Sequence, residues 1–194
     1  MSLLQDRIEK LEADVLATPL RISAYHDLPF AIFAYPPTVE RDMRQQAALF
    51  GTRLQNAGKK VHYISIAELL WEAIEKTEGI EAIAEEEQQL GFARAQQTVC
   101  TLLSDPSFYP LPTSLSKRIN DLDPSKDIIF LVRIAALAPG LYRSAKLLDE
   151  MHGKTMIPII LFYPGSVEGE SSLRFMNMSD REHTGAYNYR VRIY

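Results

Sequence analysis

Tyrosine and arginine side chains dominate the last eight residues of the chain, which hold Tyr187, Tyr189, Arg190, Arg192 and Tyr194. Arginines beside aromatic rings can stack nucleic-acid bases, but the same residue types carry much of the binding energy at protein interfaces. The chain has 21 basic and 25 acidic residues, a net charge of −4. That balance favours a protein partner, with RNA or DNA as an alternative.

A second group of candidate residues lies at or beyond predicted strand ends. Tyr35, Arg133 and Tyr163 end three apolar runs, and ligands of open α/β sheets gather at the carboxyl ends of the strands. Arg174 lies in a later segment and could contact phosphate. The predicted partner-binding residues are therefore Tyr35, Arg133, Tyr163, Arg174, Tyr187, Tyr189, Arg190 and Arg192.

The sequence contains no familiar catalytic or cofactor-binding motif. The turn at residues 35–40 has two prolines and no glycine, whereas a phosphate loop needs glycines and a lysine. The four histidines are scattered without metal-ligand spacing, and Cys100 is the single cysteine. We predict no catalytic, cofactor or metal site. A degenerate nucleotide-binding or hydrolytic α/β enzyme remains an alternative, which the predicted sheet topology favours slightly and the two prolines of the first turn oppose.

The elements that must position these residues alternate between strands and helices. Short apolar runs at residues 29–35, 61–64, 127–133 and 156–163 are typical of buried strands. Helical patterns separate them, which favours right-handed crossovers and a parallel sheet. We predict one domain over residues 1–194, a Rossmann-like three-layer α/β/α fold. Its sheet is mainly parallel, with an antiparallel C-terminal extension over residues 187–194.

The N-terminal segment, residues 1–17, is predicted to be an amphipathic helix. Leu4, Ile8, Leu11 and Val15 form one apolar stripe. Packing on the protein's own core is the favoured interpretation; if the stripe is exposed, it becomes a candidate partner surface.

Local signals predict how several elements begin and end. Thr38 is predicted to cap the helix after the first strand, and Ser65 to open a capping box. Pro139 suits the first turn of a helix over residues 139–151. A short helix is expected at residues 115–122, and one helical pattern spans residues 80–103. Residues 163–165 are predicted to form a turn in which Gly165 has positive φ.

The expected compartment is the cytoplasm. A single cysteine excludes an intrachain disulfide. The acidic N-terminus does not match a signal peptide, and no run approaches the roughly 18 apolar residues of a membrane span.

Six segments of the sequence form a familiar pattern when they are taken together: residues 29–35, 128–133, 138–148, 157–165, 172–175 and 187–190, with Pro37. Together they resemble the BrxB family of bacteriophage exclusion (BREX) systems. The likeness covers nearly the whole chain, and the motif at residues 162–165 would be weak by itself.

The resemblance implies a cytoplasmic anti-phage protein without an assigned catalytic activity or cofactor. Its implied partner is a PglZ-type protein of the alkaline-phosphatase superfamily, together with other BREX components. The expected role is to bind that partner and to position or regulate it. The family supplies no catalytic residues to carry over.

Overall fold

The computed structural model describes residues 3–22, 29–168, 172–178, 185–186 and 191–194. Within these ranges the helices are α1 Leu3–Leu16, α2 Glu40–Asn56, α3 Ile66–Glu75, α4 Ile80–Leu90, α5 Phe92–Ser104, α6 Leu111–Ile119 and α7 Ser144–Met151. The strands are β1 Phe30–Tyr35, β2 Lys60–Ser65, β3 Asp127–Val132, β4 Ile159–Glu168, β5 Ser172–Phe175, β6 Gly185–Ala186 and β7 Arg192–Ile193.

The main sheet has the strand order β2-β3-β4-β1-β7 and is parallel throughout. β5 and β6 extend it as an antiparallel arm from the far end of β4. The predicted antiparallel direction of the C-terminal strand is wrong for β7, which runs parallel to β1. Alternation of polar and apolar residues fixes the faces of a strand but carries no information about its direction.

Helices cover both faces of the sheet, which confirms the three-layer prediction. Alternate residues of each strand point to opposite sides. Phe33, Phe130 and Phe162 pack with α1 and α2, whereas Ile32, Leu131 and the other alternate positions pack with α3, α5, α6 and α7. Strand interiors this apolar must be buried on both sides, as in parallel sheets generally.

The first helix packs on the protein's own core, as predicted. Ile8, Leu11 and Val15 are buried against the α2 face of the sheet. The ion pair between Arg53 Nε and Glu12 Oε2, at 2.6 Å, ties α2 to the same helix. The apolar stripe of α1 is therefore not a surface for a partner.

Several predicted helix boundaries are wrong, each for a local reason. Thr38 lies in a 3₁₀ turn, and α2 begins at Glu40 with no side-chain cap. α7 begins at Ser144 because Ala138 is extended before Pro139 and Gly140 has a φ of 148°, which no helix allows.

The other two corrections concern glycine and proline. α6 begins at Leu111, with Pro112 in its first turn, a position that proline suits. Residues 80–103 form two helices instead of one, because Gly91 has a φ of 87° and interrupts the pattern.

The predicted cap at Ser65 is confirmed, and it supplies a test of stability. Ser65 Oγ accepts a hydrogen bond from the backbone N–H of Glu68 at 3.3 Å. Ser65→Ala should lower the free energy of unfolding by about 1 kcal/mol in urea denaturation. Ser114→Ala is the matched control, because Ser114 is also buried but its hydroxyl bonds a carbonyl that already accepts from the Ser114 N–H. Equal losses in the two variants would contradict the cap.

Candidate interaction sites

Tyr35 and Arg133 come together at the carboxyl ends of β1 and β3, as the strand-end argument predicts. They line a cavity of about 250 Å³, which we call the strand-end cavity, with Glu40 and Arg44 of α2. Tyr35 Oη donates a hydrogen bond to Glu40 Oε2 at 2.5 Å, and Arg44 Nε donates to Glu40 Oε1 at 2.9 Å. Arg133 is exposed and adopts a left-handed conformation, with φ 58° and ψ 36°.

The surroundings of Tyr35 in the strand-end cavity favour the neutral form of its phenol. Burial and the hydrogen bond to the Glu40 carboxylate both raise the pKa of Tyr35 far above its usual value. Tyr35 therefore serves as a hydrogen-bond donor and not as a base. An incoming phosphate would also meet the Glu40 carboxylate, which repels it.

Tyr163 and Arg174 do not reach this cavity. The Tyr163 side chain has 0% exposure and packs on the opposite face of the sheet, with its ring centroid 5.5 Å from that of Phe175. The predicted turn at residues 163–165 is wrong, because β4 continues to Glu168 and pairs with β5. Arg174 forms an ion pair with Glu168 across that hairpin.

Arg192 holds the C-terminal strand against the N-terminal helix. Its Nη1 lies 3.1 Å from Asp14 Oδ2 and donates to the Arg21 carbonyl at 2.9 Å. Tyr194 Oη donates to the same Asp14 oxygen at 2.8 Å. Burial and this bond raise the pKa of the Tyr194 phenol. Tyr187, Tyr189 and Arg190 lie outside the described residues.

Arg7 is not among the predicted site residues, but it lies at the same edge of the sheet, beside β1 and β7. Its guanidinium donates to the carbonyls of Ala34 and Tyr194 and lies 4.9 Å from the centroid of the Phe33 ring. Burial lowers the pKa of Arg7. The amphipathic pattern of α1 assigns this position to the polar face, so only tertiary packing reveals the contact.

A second candidate surface, which is apolar, lies on the opposite face of the sheet, where α3, α4 and α5 meet residues 136–141. It is a groove of about 470 Å³, which we call the α3–α5 groove. Trp71 of α3, Ile80 of α4 and Phe92 of α5 line it and are 52%, 41% and 58% exposed. Leu70 and Ile74 form part of its floor.

The groove is open because α4 is held at the periphery. No residue of α4 is buried, and the helix packs mainly against α5. Gly79 and Gly91 bracket it with φ of 83° and 87° and ψ of 157° and 163°, a region of backbone space that is essentially restricted to glycine. These two breaks turn α4 sharply at both ends and leave its apolar residues facing the groove.

The sequence contained a partial signal for this groove. Residues 80–92 combine apolar side chains with an acidic run, which indicates an amphipathic surface helix. That pattern does not show that Trp71 and Phe92 line the same groove, since 21 positions separate them along the chain. No three histidine, cysteine, aspartate or glutamate side chains of the described residues cluster as a metal requires, and no helix in the described ranges is long and apolar enough to cross a membrane.

Comparison with known proteins supplies the family. The family model described as BREX protein BrxB matches residues 62–193. A curated relative, BREX protein BrxB from Bacillus cereus (strain H3081.97), is 23% identical over 167 residues, spanning 84% of this chain and 83% of the relative. No solved structure matches the chain. The family match covers more than half of the sequence and confirms the resemblance, so this chain belongs to the BrxB family of BREX proteins.

Proposed function

We propose that the protein is a non-catalytic component of a BREX phage-defence system. It binds a PglZ-type protein in the cytoplasm and positions or regulates that partner. Membership of the BrxB family supports the place in BREX. The observation that carries the binding role is the exposed α3–α5 groove.

The groove has the properties of a protein-binding surface. Trp71 and Phe92 are large aromatic side chains, each more than half exposed beside a concave apolar floor. Scattered exposed apolar residues are ordinary, but a contiguous patch with a polar rim marks an interaction site. Tryptophan is also among the residues most often found to dominate binding energy at interfaces.

The alternative functions have less support from the geometry. For a nucleotide enzyme, Pro36 and Pro37 remove backbone donors beside the strand-end cavity, and Glu40 places a carboxylate there. For a nucleic-acid binder, Arg174 and Arg192 are both paired with carboxylates. These pairs would have to break before either arginine met phosphate.

Co-purification tests the proposed function directly. The chain and the PglZ-type protein of the same operon should be co-expressed, captured through a tag on one of them, and measured by light scattering on a sizing column. We expect a stable heteromeric peak. Separate elution at micromolar concentration would contradict a direct complex, and heat evolved on titration with ATP or GTP would favour the enzyme alternative.

A further inference from the structure

We propose that the α3–α5 groove binds a basic amphipathic helix of a partner protein. This inference rests on the proposed function, because it assumes that the protein works by binding another BREX component. It adds the surface that makes the contact and the chemistry of the segment that occupies it.

The shape of the groove fits a helix. Three helices supply its walls, so side chains project into it as ridges separated by grooves. The apolar face of an amphipathic helix packs into such a surface through residues spaced three and four apart. Trp71, Ile80 and Phe92 then lie around the incoming helix, and Leu70 and Ile74 lie beneath it.

The charge around the groove determines which helix fits. Residues 66–90 contain eight glutamates and one lysine, although the net charge of the whole chain is only −4. Glu72 pairs with Lys76 and Arg118, and Glu86 pairs with Arg94. The other six form no ion pair with another described residue: Glu68, Glu75, Glu78, Glu81, Glu85 and Glu87.

Several of these glutamates lie at the edge of the groove. Glu87 lines it. Glu68 and Glu75 are three residues before and four residues after Trp71 on α3, so they neighbour its side chain on the helix surface. A helix whose apolar face is flanked by lysines and arginines would complement this rim.

The same charge argues against other occupants. If two copies of the chain met through this groove in a two-fold dimer, the same acidic rims would face each other, and opposed like charges at an interface are unfavourable. Nucleic acids and anionic lipid surfaces would be repelled for the same reason. A basic segment of a different protein satisfies both the apolar floor and the acidic rim.

Site-specific photo-crosslinking identifies the occupant. A benzophenone amino acid replaces Phe92 in the full chain, expressed with the complete BREX operon, and the crosslinked peptide is sequenced by mass spectrometry. We expect a peptide of another BREX protein with helical apolar spacing and flanking lysines or arginines. The same probe at Phe108, an aromatic residue 42% exposed that does not line the groove, should not capture that peptide.

A charge variant provides the second measurement. Replacing Glu68, Glu75 and Glu87 with glutamine should weaken the complex at least tenfold at low salt and flatten its dependence on salt. The matched control neutralises three exposed acids elsewhere: Glu9, Asp121 and Asp149. It changes the net charge equally and should leave the affinity within twofold of wild type.

The outcomes separate this inference from the proposed function. A crosslink to a basic helix of a BREX protein other than the PglZ type would support the groove as the binding surface and contradict the PglZ-type protein as the partner. If the PglZ-type complex forms with unchanged affinity in the charge variant, the PglZ-type protein is supported as the partner and the groove is contradicted as the binding surface. A crosslink to a second copy of the chain, or to an acidic or non-helical peptide, would also overturn the inference.

Discussion

Replacing Gly165 with alanine is expected to destabilise the protein by about 3 kcal/mol, at the upper end of the usual cost of overpacking a core. A Cβ atom at this position would overlap the backbone carbonyl oxygen of Arg174 and lie 2.7 Å from Tyr163 Cε1. Gly165 pairs with Phe175 in the antiparallel hairpin of β4 and β5. The obstacle is backbone on the neighbouring strand, so relief requires the strands to separate.

Gly51→Ala is the control, because its added Cβ meets a movable group. That Cβ would overlap the hydroxyl of Tyr63, the far end of a side chain. The free energy of unfolding of the double variant Gly51→Ala with Tyr63→Phe should lie within about 1 kcal/mol of the wild-type value, since alanine is favoured over glycine in a helix by about that amount. Urea denaturation of the wild type, Gly165→Ala, Gly51→Ala and the double variant measures the cost at each glycine. A Gly165→Ala variant as stable as wild type would contradict the close approach of β4 and β5.

Gly165 also shows what local sequence can and cannot specify. The motif Tyr163-Pro164-Gly165 has turn chemistry, but the glycine is needed for the close approach of another strand, not for a positive φ. That strand, β5, pairs through long-range contacts that leave no local pattern. By contrast, the Ser65 cap and the stripe on α1 each depend on residues that lie within a single helix or at its start, and both predictions are confirmed.

The candidate sites also differ in how far the local sequence predicts them. Tyr35 and Arg133 lie together as predicted, because parallel strands bring their carboxyl ends to one edge whatever the strand order. Tyr163 does not join them, because β4 continues to Glu168 and the Tyr163 side chain lies on the opposite face of the sheet. The α3–α5 groove joins three helices and residues 136–141, and its existence depends on how α4 is turned between Gly79 and Gly91.

The largest effect on partner binding is expected from Trp71→Ala. A tryptophan half-exposed in the free protein and buried in a complex is typical of residues whose truncation costs 2 kcal/mol or more, which corresponds to an increase in Kd of about 30-fold or more. Because Trp71 is 52% exposed, its removal should cost the isolated chain less stability than truncation of a fully buried aromatic side chain. Isothermal titration calorimetry with the purified partner measures the affinity, and urea denaturation checks the fold.

Phe92→Ala and Phe108→Ala together distinguish a specific groove from general surface hydrophobicity. Both residues are exposed phenylalanines, 58% and 42%, but only Phe92 lines the groove. If the groove is the binding surface, Phe92→Ala should weaken the complex in the same direction as Trp71→Ala, and Phe108→Ala should not. The pair Trp71 and Phe92 should also be non-additive in the double variant, because residues that contact one ligand segment couple energetically. Wild-type affinity in both Trp71→Ala and Phe92→Ala would show that the α3–α5 groove is not part of the interface. The strand-end cavity, lined by Tyr35 and Arg133, would then be the candidate binding surface.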